Sequence, residues 1–386
     1  MKQTVYVLGA GASYGDTLRM PDEQRWRQVC KRDATTKIDP ATATNPPLIT
    51  GFFDAKYLWW SYPERIENLY PEMINYIRRR WGIKGALGTD DWLNVNLEDV
   101  FTSAAIDVEF NPPGTNAHAK SQLLLNQIKR HVSFVLGCCT ICRYGEHSRA
   151  LVNALDESDT IINFNYDLLI DQELIPNVGY YFLPREGAYQ YHNFADVILD
   201  KPINDFPRSK ALREENTGSG LYLKMHGSLN WTTCTNASCP RSASIEIDDV
   251  FHSLLLRNSP TGGPPRCETC KGEVSTVLVP PLLNKPIMHS PIFRNIWSNA
   301  LHALRQAQKI VIIGYSFPPT DFYTEWLFRS AWSDPDTQVQ IVNPLNNPDH
   351  PNQKERERFV KTMQSLFPHG YDSELTTFDQ MDFDKS

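Results

Sequence analysis

The sequence predicts an α/β protein built on a parallel sheet, and three observations carry that reading. Five short apolar runs stop at glycine or polar residues: TVYVLG (4–9), TIINFN (160–165), LYLKMHG (221–227), KIVIIGYS (309–316) and QVQIVNP (338–344). They lack strict alternation, as expected of strands covered on both faces. A helical pattern runs directly into the fourth, which is the helix-to-strand step of a doubly wound sheet.

The first run passes into GAGASYGD, so Gly9, Gly11 and Gly15 stand directly behind a strand. Glycine there lets the backbone turn tightly and approach a phosphate. The third glycine falls one residue late for the usual dinucleotide pattern, and no clear helix signal follows. A glycine turn used only for packing is the plainer alternative.

The first and second runs are far apart. Residues 21–51 are polar and proline-dotted, which reads as loop, whereas YPERIENLYPEMINYIRRRW (62–81) and HAKSQLLLNQIKRHVSFVLGCCTICRYG (118–145) read as helices. A mostly helical insertion over roughly residues 20–150 follows, a lid or an assembly surface. Its CCTIC segment (138–142) sits in an apolar helical pattern and reads as buried free thiols. In SPIFRNIWSNALHALRQAQ (290–308), Ser290 and Pro291 give an N-cap and a first-turn proline. Phe293, Ile296, Trp297, Ala300, Leu301 and Leu304 then recur at helical spacing. FVKTMQSLFP (359–368) suggests a last helix.

Bulk properties exclude several classes. The chain has 386 residues, 41% hydrophobic, with no apolar run long enough for a membrane helix. Its first apolar run is too short and too early for a signal peptide, so a cytoplasmic protein is expected. The net charge of −7 argues against a surface that binds nucleic acid directly. IRRRWGIKG (77–85) is more simply a solvated helix end. Eight cysteines in such a chain point to metal or burial rather than disulfides.

Behind the second run stand Asn165, Tyr166 and Asp167, where the carboxyl ends of parallel strands form a ligand crevice. An amide both donates and accepts, which suits a ribose hydroxyl or a water. The bland alternative makes Asn165 and Asp167 caps of the following helix. His226 ends the third run; imidazole titrates near neutrality and can take a proton from a hydroxyl or water. A core histidine that is merely hydrogen-bonded is the competing reading. Cys234 and Cys239 are separated by four residues and Cys267 and Cys270 by two. Two close thiolate pairs suit a closed, structural zinc site with four cysteine ligands.

Together GAGAS (9–13), FNYD (164–167), MHGSLNW (225–231), the paired cysteines, GYSFPPTD (314–321) and VNP (342–344) resemble the SIR2 superfamily, specifically the prokaryotic SIR2-like NAD-cleaving proteins of antiphage defence. The resemblance implies a Rossmann-like, SIR2-like NAD-binding domain over 1–20, 150–231 and 277–386. A helical insertion would fill 21–149 and a zinc ribbon 232–276. By position, Gly9, Ala10, Gly11 and Ser13 would cradle the NAD phosphates. Asn165 would sit at the nicotinamide ribose, His226 would be the catalytic base, and Asp167 would organise the nicotinamide side. Gly314, Ser316 and Asn343 would line the phosphate and adenosine-ribose part. The Asp-Phe-Arg segment of protein-deacylating sirtuins is missing from YGDTLRMPDEQRW.

The implied reaction is hydrolysis of the nicotinamide–ribose bond to nicotinamide and ADP-ribose. Activation is expected through assembly: a homo-oligomer, or a complex with a HerA-type ATPase or an Argonaute-type protein that does the nucleic-acid sensing. NAD-dependent protein deacylation and a non-catalytic module binding NAD or ADP-ribose are the alternatives.

Overall fold

The five apolar runs become strands because their side chains have a hydrophobic layer to enter on each face. A computed structural model describes residues 3–17, 45–48, 50–54, 57, 63–140, 145–156, 158–174, 221–243, 245–247, 266–279, 290–331, 335–374, 378 and 381. The polar stretch 21–44 and Cys142 lie outside the described residues. The strands are β1 (Thr4–Leu8), β2 (Thr160–Asn163), β3 (Tyr222–Lys224), β4 (Gly227–Cys234), β5 (Glu246–Ile247), β6 (Val274–Leu278), β7 (Lys309–Ile313), β8 (Gln338–Val342) and β9 (Asp372–Glu374). Six of them form one sheet in the order β3-β2-β1-β7-β8-β9, and every pairing in it is parallel. Counted along the chain this is the doubly wound 3-2-1-4-5-6 order, which reverses direction between β1 and β7.

Each predicted strand is real but ends earlier than its apolar run. The surplus residues, such as Asn165 and Gly314–Ser316, form the crevice edge instead. The third run differs most: it is not one strand. The chain leaves the parallel sheet after Lys224, turns at Met225 and His226, and enters β4 in a separate three-stranded antiparallel sheet, β5-β4-β6. Gly227 makes that switch at φ +84, where a Cβ would strike the Val277 carbonyl oxygen at 2.1 Å.

The α-helices among the described residues are α1 (Ala10–Asp16), α2 (Pro63–Leu69), α3 (Pro71–Trp81), α4 (Asp90–Leu93), α5 (Leu97–Phe110), α6 (Asn116–Thr140), α7 (Glu146–Ala154), α8 (Leu169–Leu174), α9 (Pro291–Gln306), α10 (Phe322–Ala331) and α11 (Gln353–Leu366). Helix α1 corrects the expectation that no helix follows the glycine turn. Its sequence has no apolar stripe; tertiary contacts hold it. The Asp16 carboxylate accepts from His147 N and Ser148 N at the start of α7, where an anion complements the free N–H groups.

Helix α9 follows its sequence signals: Ser290 Oγ accepts from Phe293 N, and Phe293, Ile296, Trp297, Ala300 and Leu304 are buried in the core under the sheet. Full burial of a Phe, Ile or Leu side chain stabilises by about 1.5–3 kcal/mol. A second core fills the insertion, where Phe53, Met73, Ile77, Trp92, Phe101, Ile128 and Val132 pack together. That core continues into Leu168, Leu229 and Leu278, so the insertion leans on the strand ends and on the antiparallel sheet. Arg130 of α6 also pairs with Glu273 beside the cysteine module.

Candidate functional site

A parallel sheet puts the carboxyl ends of all its strands on one edge, so residues remote in sequence meet there. The glycine turn follows β1, Asn165 and Asp167 follow β2, and His226 follows β3. Gly314–Ser316 follow β7 and Asn343 follows β8. The reversal point between β1 and β7 lies at the centre of this row, where open α/β sheets bind ligands.

There the two glycine segments interlock. Gly9 N donates to Ile313 O and Gly11 N to Gly314 O, both at 2.9 Å. Gly314 has φ +62, and a Cβ on it would lie 2.3 Å from Ala12 N. Ala10 is exposed at the rim. Asn343 supports the same corner: its Nδ2 donates to Tyr315 O at 3.2 Å, and its Oδ1 accepts from Leu345 N. The Ser316 carbonyl is held by Arg358.

Asn165 is oriented by its donors. Its Nδ2 donates to Gly9 O at 2.8 Å and to Ser13 Oγ at 2.9 Å. A carbonyl can only accept, so the amide nitrogen faces the turn and Oδ1 faces the other way. Ser13 Oγ in turn donates to Asp167 Oδ2 at 2.6 Å. Asp167 Oδ1 accepts from Leu169 N, so this carboxylate also caps α8. Asn165, Ser13 and Asp167 thus form one buried chain of hydrogen bonds behind the glycine turn.

Beneath it lies a polar network with no sequence signal. Lys224 donates to the Asp167 carbonyl and lies 3.2 Å from Asp171 Oδ2, both side chains fully buried. Tyr222 donates to the same Asp171 oxygen and accepts from Asn163 Nδ2. Burial raises the Asp171 pKa, and the Lys224 charge opposes that rise.

His226 occupies the turn between the two sheets. Its carbonyl accepts from Val279 N at 2.8 Å. The imidazole meets the Phe164 ring edge-on at 5.1 Å, and Phe164 stacks on Tyr315 at 4.5 Å. Because Phe164 and Asn165 are adjacent, the imidazole packs against the residue next to the amide. His226 Nε2 also lies 3.3 Å from Asp321 Oδ2. Asp321 ends the GYSFPPTD segment, where the sequence gives it no role; only the folded loop turns it towards the histidine. Thr320, next to it, donates to Glu98 Oε2 at 2.8 Å, so the helical insertion reaches this loop. Burial raises the Tyr166 and Tyr315 phenols well above their usual range, with the nearby carboxylates adding to it.

The four predicted cysteines converge. Their sulfurs lie within 4.8 Å of one another, with Cys234–Cys270 at 3.4 Å and Cys239–Cys267 at 3.8 Å. Four thiolates around one ion at ~2.3 Å would be about 3.8 Å apart. Backbone N–H groups face the sulfurs: that of Gly272 donates to Cys270, and that of Cys270 helps draw the Cys267 thiol down to about 6. The set could hold a tetrahedral metal.

No family model and no curated relative matches this chain. Among solved structures, one described as the structural basis of sirtuin substrate affinity is 11% identical, with a TM-score of 0.35, covering 94% of this chain and 93% of its own. A crystal structure of SIR2 with the inhibitor EX-527, 2′-O-acetyl-ADP-ribose and a deacetylated p53 peptide is 12% identical, with a TM-score of 0.31, covering 94% and 92%.

Proposed function

We propose that this protein is an NAD+ glycohydrolase that releases nicotinamide and ADP-ribose. One observation carries the reading: an oriented amide and an imidazole stand beyond adjacent strands, next to an interlocked glycine turn at the reversal point of a 3-2-1-4-5-6 sheet. The turn formed by Gly9, Ala10 and Gly11 would take the diphosphate, with Gly314, Ser316 and Asn343 along the adenosine side. Asn165 Oδ1 would accept from a ribose hydroxyl or the attacking water. Ser13 and Asp167 would keep that amide from rotating.

Cleavage of the C1′–N bond sends its electron pair to nicotinamide, which leaves neutral, and the ribose carbon gains oxocarbenium character. Holding sugar and diphosphate fixed favours that charge separation. Water then adds to C1′ while His226 accepts its proton. NAD+ and water thus give nicotinamide, ADP-ribose and one proton.

Zinc is the metal proposed for the cysteine cluster. With four thiolates it has no open position and is structural. A cytoplasmic effector of this kind would drain the cell's NAD and halt phage growth. Its control is therefore assigned to assembly, through self-association or a HerA-type or Argonaute-type partner that reads nucleic acid. Among the described residues no helix is long and apolar enough to cross a membrane.

The test is incubation with NAD+, with and without an acyl-lysine peptide, followed by separation of products. Free ADP-ribose without peptide is the expected result. Nicotinamide release only with peptide would assign deacylation. Binding without turnover, in the chain alone and in its native assembly, would assign a sensor.

A further inference from the structure

We propose that Asp321 is the positioning residue for His226: its buried carboxylate holds the imidazole with the proton on Nε2, so that Nδ1 acts as the base. The inference rests on the glycohydrolase reading for its catalytic meaning, but the geometry of the pair stands apart from it. Asp321 Oδ2 lies 3.3 Å from His226 Nε2, with the carboxylate fully buried and the imidazole nearly so. A carboxylate can only accept, so the ring nitrogen that faces it must carry hydrogen.

The carboxylate is itself fixed. Tyr315 donates its hydroxyl to the same Oδ2 at 2.5 Å, from the strand-end segment that also carries Gly314. The loop backbone is pinned on both sides of Asp321: its N–H donates to Pro318 O, and its carbonyl accepts from Thr324 N at the start of α10. Thr320 adds the bond to Glu98 from the insertion. The imidazole backbone is clamped by Val279, whose carbonyl takes the Tyr166 hydroxyl at 2.8 Å. Beside the imidazole stand Asp321 of the β7–α10 loop, with Tyr315 on the same carboxylate oxygen, and Tyr166 from the β2 side at 6.3 Å between ring centroids, while Glu98 of α5 reaches the loop through Thr320. Of these, Asp321 is the carboxylate that faces the ring nitrogen directly.

The arrangement has a consequence for catalysis. With Nε2–H donated to Asp321, the Nδ1 lone pair accepts the proton of water, and the imidazolium that forms is stabilised by a carboxylate already in place. Without that partner the ring can rotate or adopt the other tautomer, which removes the base while leaving the nucleotide pocket whole.

The experiment uses the full chain labelled with 15N in its histidines, with His226→Gln to assign the signals. In the wild type, neutral His226 should carry its proton on Nε2. In Asp321→Asn its titration midpoint should fall by about one unit, because an opposite charge within ~4–6 Å favours the charged form. With NAD+, Asp321→Asn should lower kcat by about 100-fold or more with KM within about threefold. The acidic limb of its pH profile should move to lower pH. A proton on Nδ1 in the wild type, or an unmoved midpoint in the variant, overturns the proposal. Full kcat in Asp321→Asn overturns it as well. A wild type that shows the Nε2 tautomer and the shifted midpoint yet never cleaves NAD+ removes the glycohydrolase reading and leaves the pair standing.

Discussion

The Asn165 amide nitrogen donates to the Gly9 carbonyl at 2.8 Å, tying the end of the second strand to the glycine turn behind the first. This bond does two things at once. It closes a gap between neighbouring strand ends, and it turns the amide oxygen away from the glycine turn.

Asn165→Asp keeps the shape of the side chain and removes both donors. The new carboxylate would face the Gly9 carbonyl and sit one hydroxyl away from Asp167. Loss of these bonds should destabilise by about 1–3 kcal/mol, since the partners stay buried. NAD+ hydrolysis should fall by at least about 100-fold. Denaturant titration reads the first effect and product analysis the second. An active, fully stable Asn165→Asp protein would show that the amide orients nothing.

Gly314 tests the interlock at the sheet reversal. Its φ of +62 and a Cβ position 2.3 Å from Ala12 N leave no room for a side chain. Gly114 makes an internal control, with φ +83 and nothing within 4 Å of its Cβ position. Gly114→Ala should cost only the left-handed backbone penalty, about 1–2 kcal/mol. Gly314→Ala should cost roughly 1–3 kcal/mol more, because backbone atoms rather than flexible side chains must move. Equal drops in Tm for the two variants would mean that the turn gives way without strain.

Much of this edge was legible in the sequence for a simple reason. Apolar runs ending in Asn-Tyr-Asp, His-Gly or Gly-Tyr-Ser mark where a buried strand surfaces, and parallel pairing then brings those ends together. What escaped was set by tertiary contacts. Helix α1 has no apolar periodicity, because Asp16 and the Gly11–Gly314 contact hold it. The edge strand Asp372–Glu374 reads Asp-Ser-Glu, which carries no strand signal; pairing with β8 alone makes it one. Asp321 looks like an ordinary acid until the β7–α10 loop folds towards His226, and Glu98 does so until the insertion meets Thr320 of that loop. Lys224 sits in an apolar run as an apparent exception, and only the fold reveals Asp171 beneath it.

The cysteine cluster predicts one zinc per chain by elemental analysis. Substitution with cobalt should give the intense visible bands of a tetrahedral tetrathiolate site. Chelation, or Cys267→Ser, should loosen the antiparallel sheet, because structural zinc contributes its binding free energy, ~10 kcal/mol or more, to folding. β4 begins one residue after His226, so the loss should also lower NAD+ turnover. Metal-free protein with unchanged thermal stability and activity would remove zinc from the account.

His131, in the core of the insertion, contributes a loss of stability on acidification. Its Nε2 donates to Phe52 O at 2.9 Å, its ring stacks on Phe53 at 4.9 Å, and its Nδ1 is buried without a partner. Burial depresses its pKa from 6.5 to about 4, against a small upward pull from the Phe52 carbonyl. The unfolded chain then binds a proton between pH 6.5 and about 4 that the folded chain refuses. Unfolding is therefore favoured as pH falls through that window, with a loss of about 3 kcal/mol by its lower end. Asp16 acts in the opposite sense, since burial raises its folded pKa to about 6. The His131 contribution must accordingly be read as a difference between wild type and His131→Gln, which keeps an amide donor for Phe52. Unfolding free energies from urea titrations at about pH 7 and about pH 5 should differ more for the wild type than for the variant, by roughly 1–2 kcal/mol. Parallel pH dependences in the two proteins would mean that the folded insertion admits the proton after all.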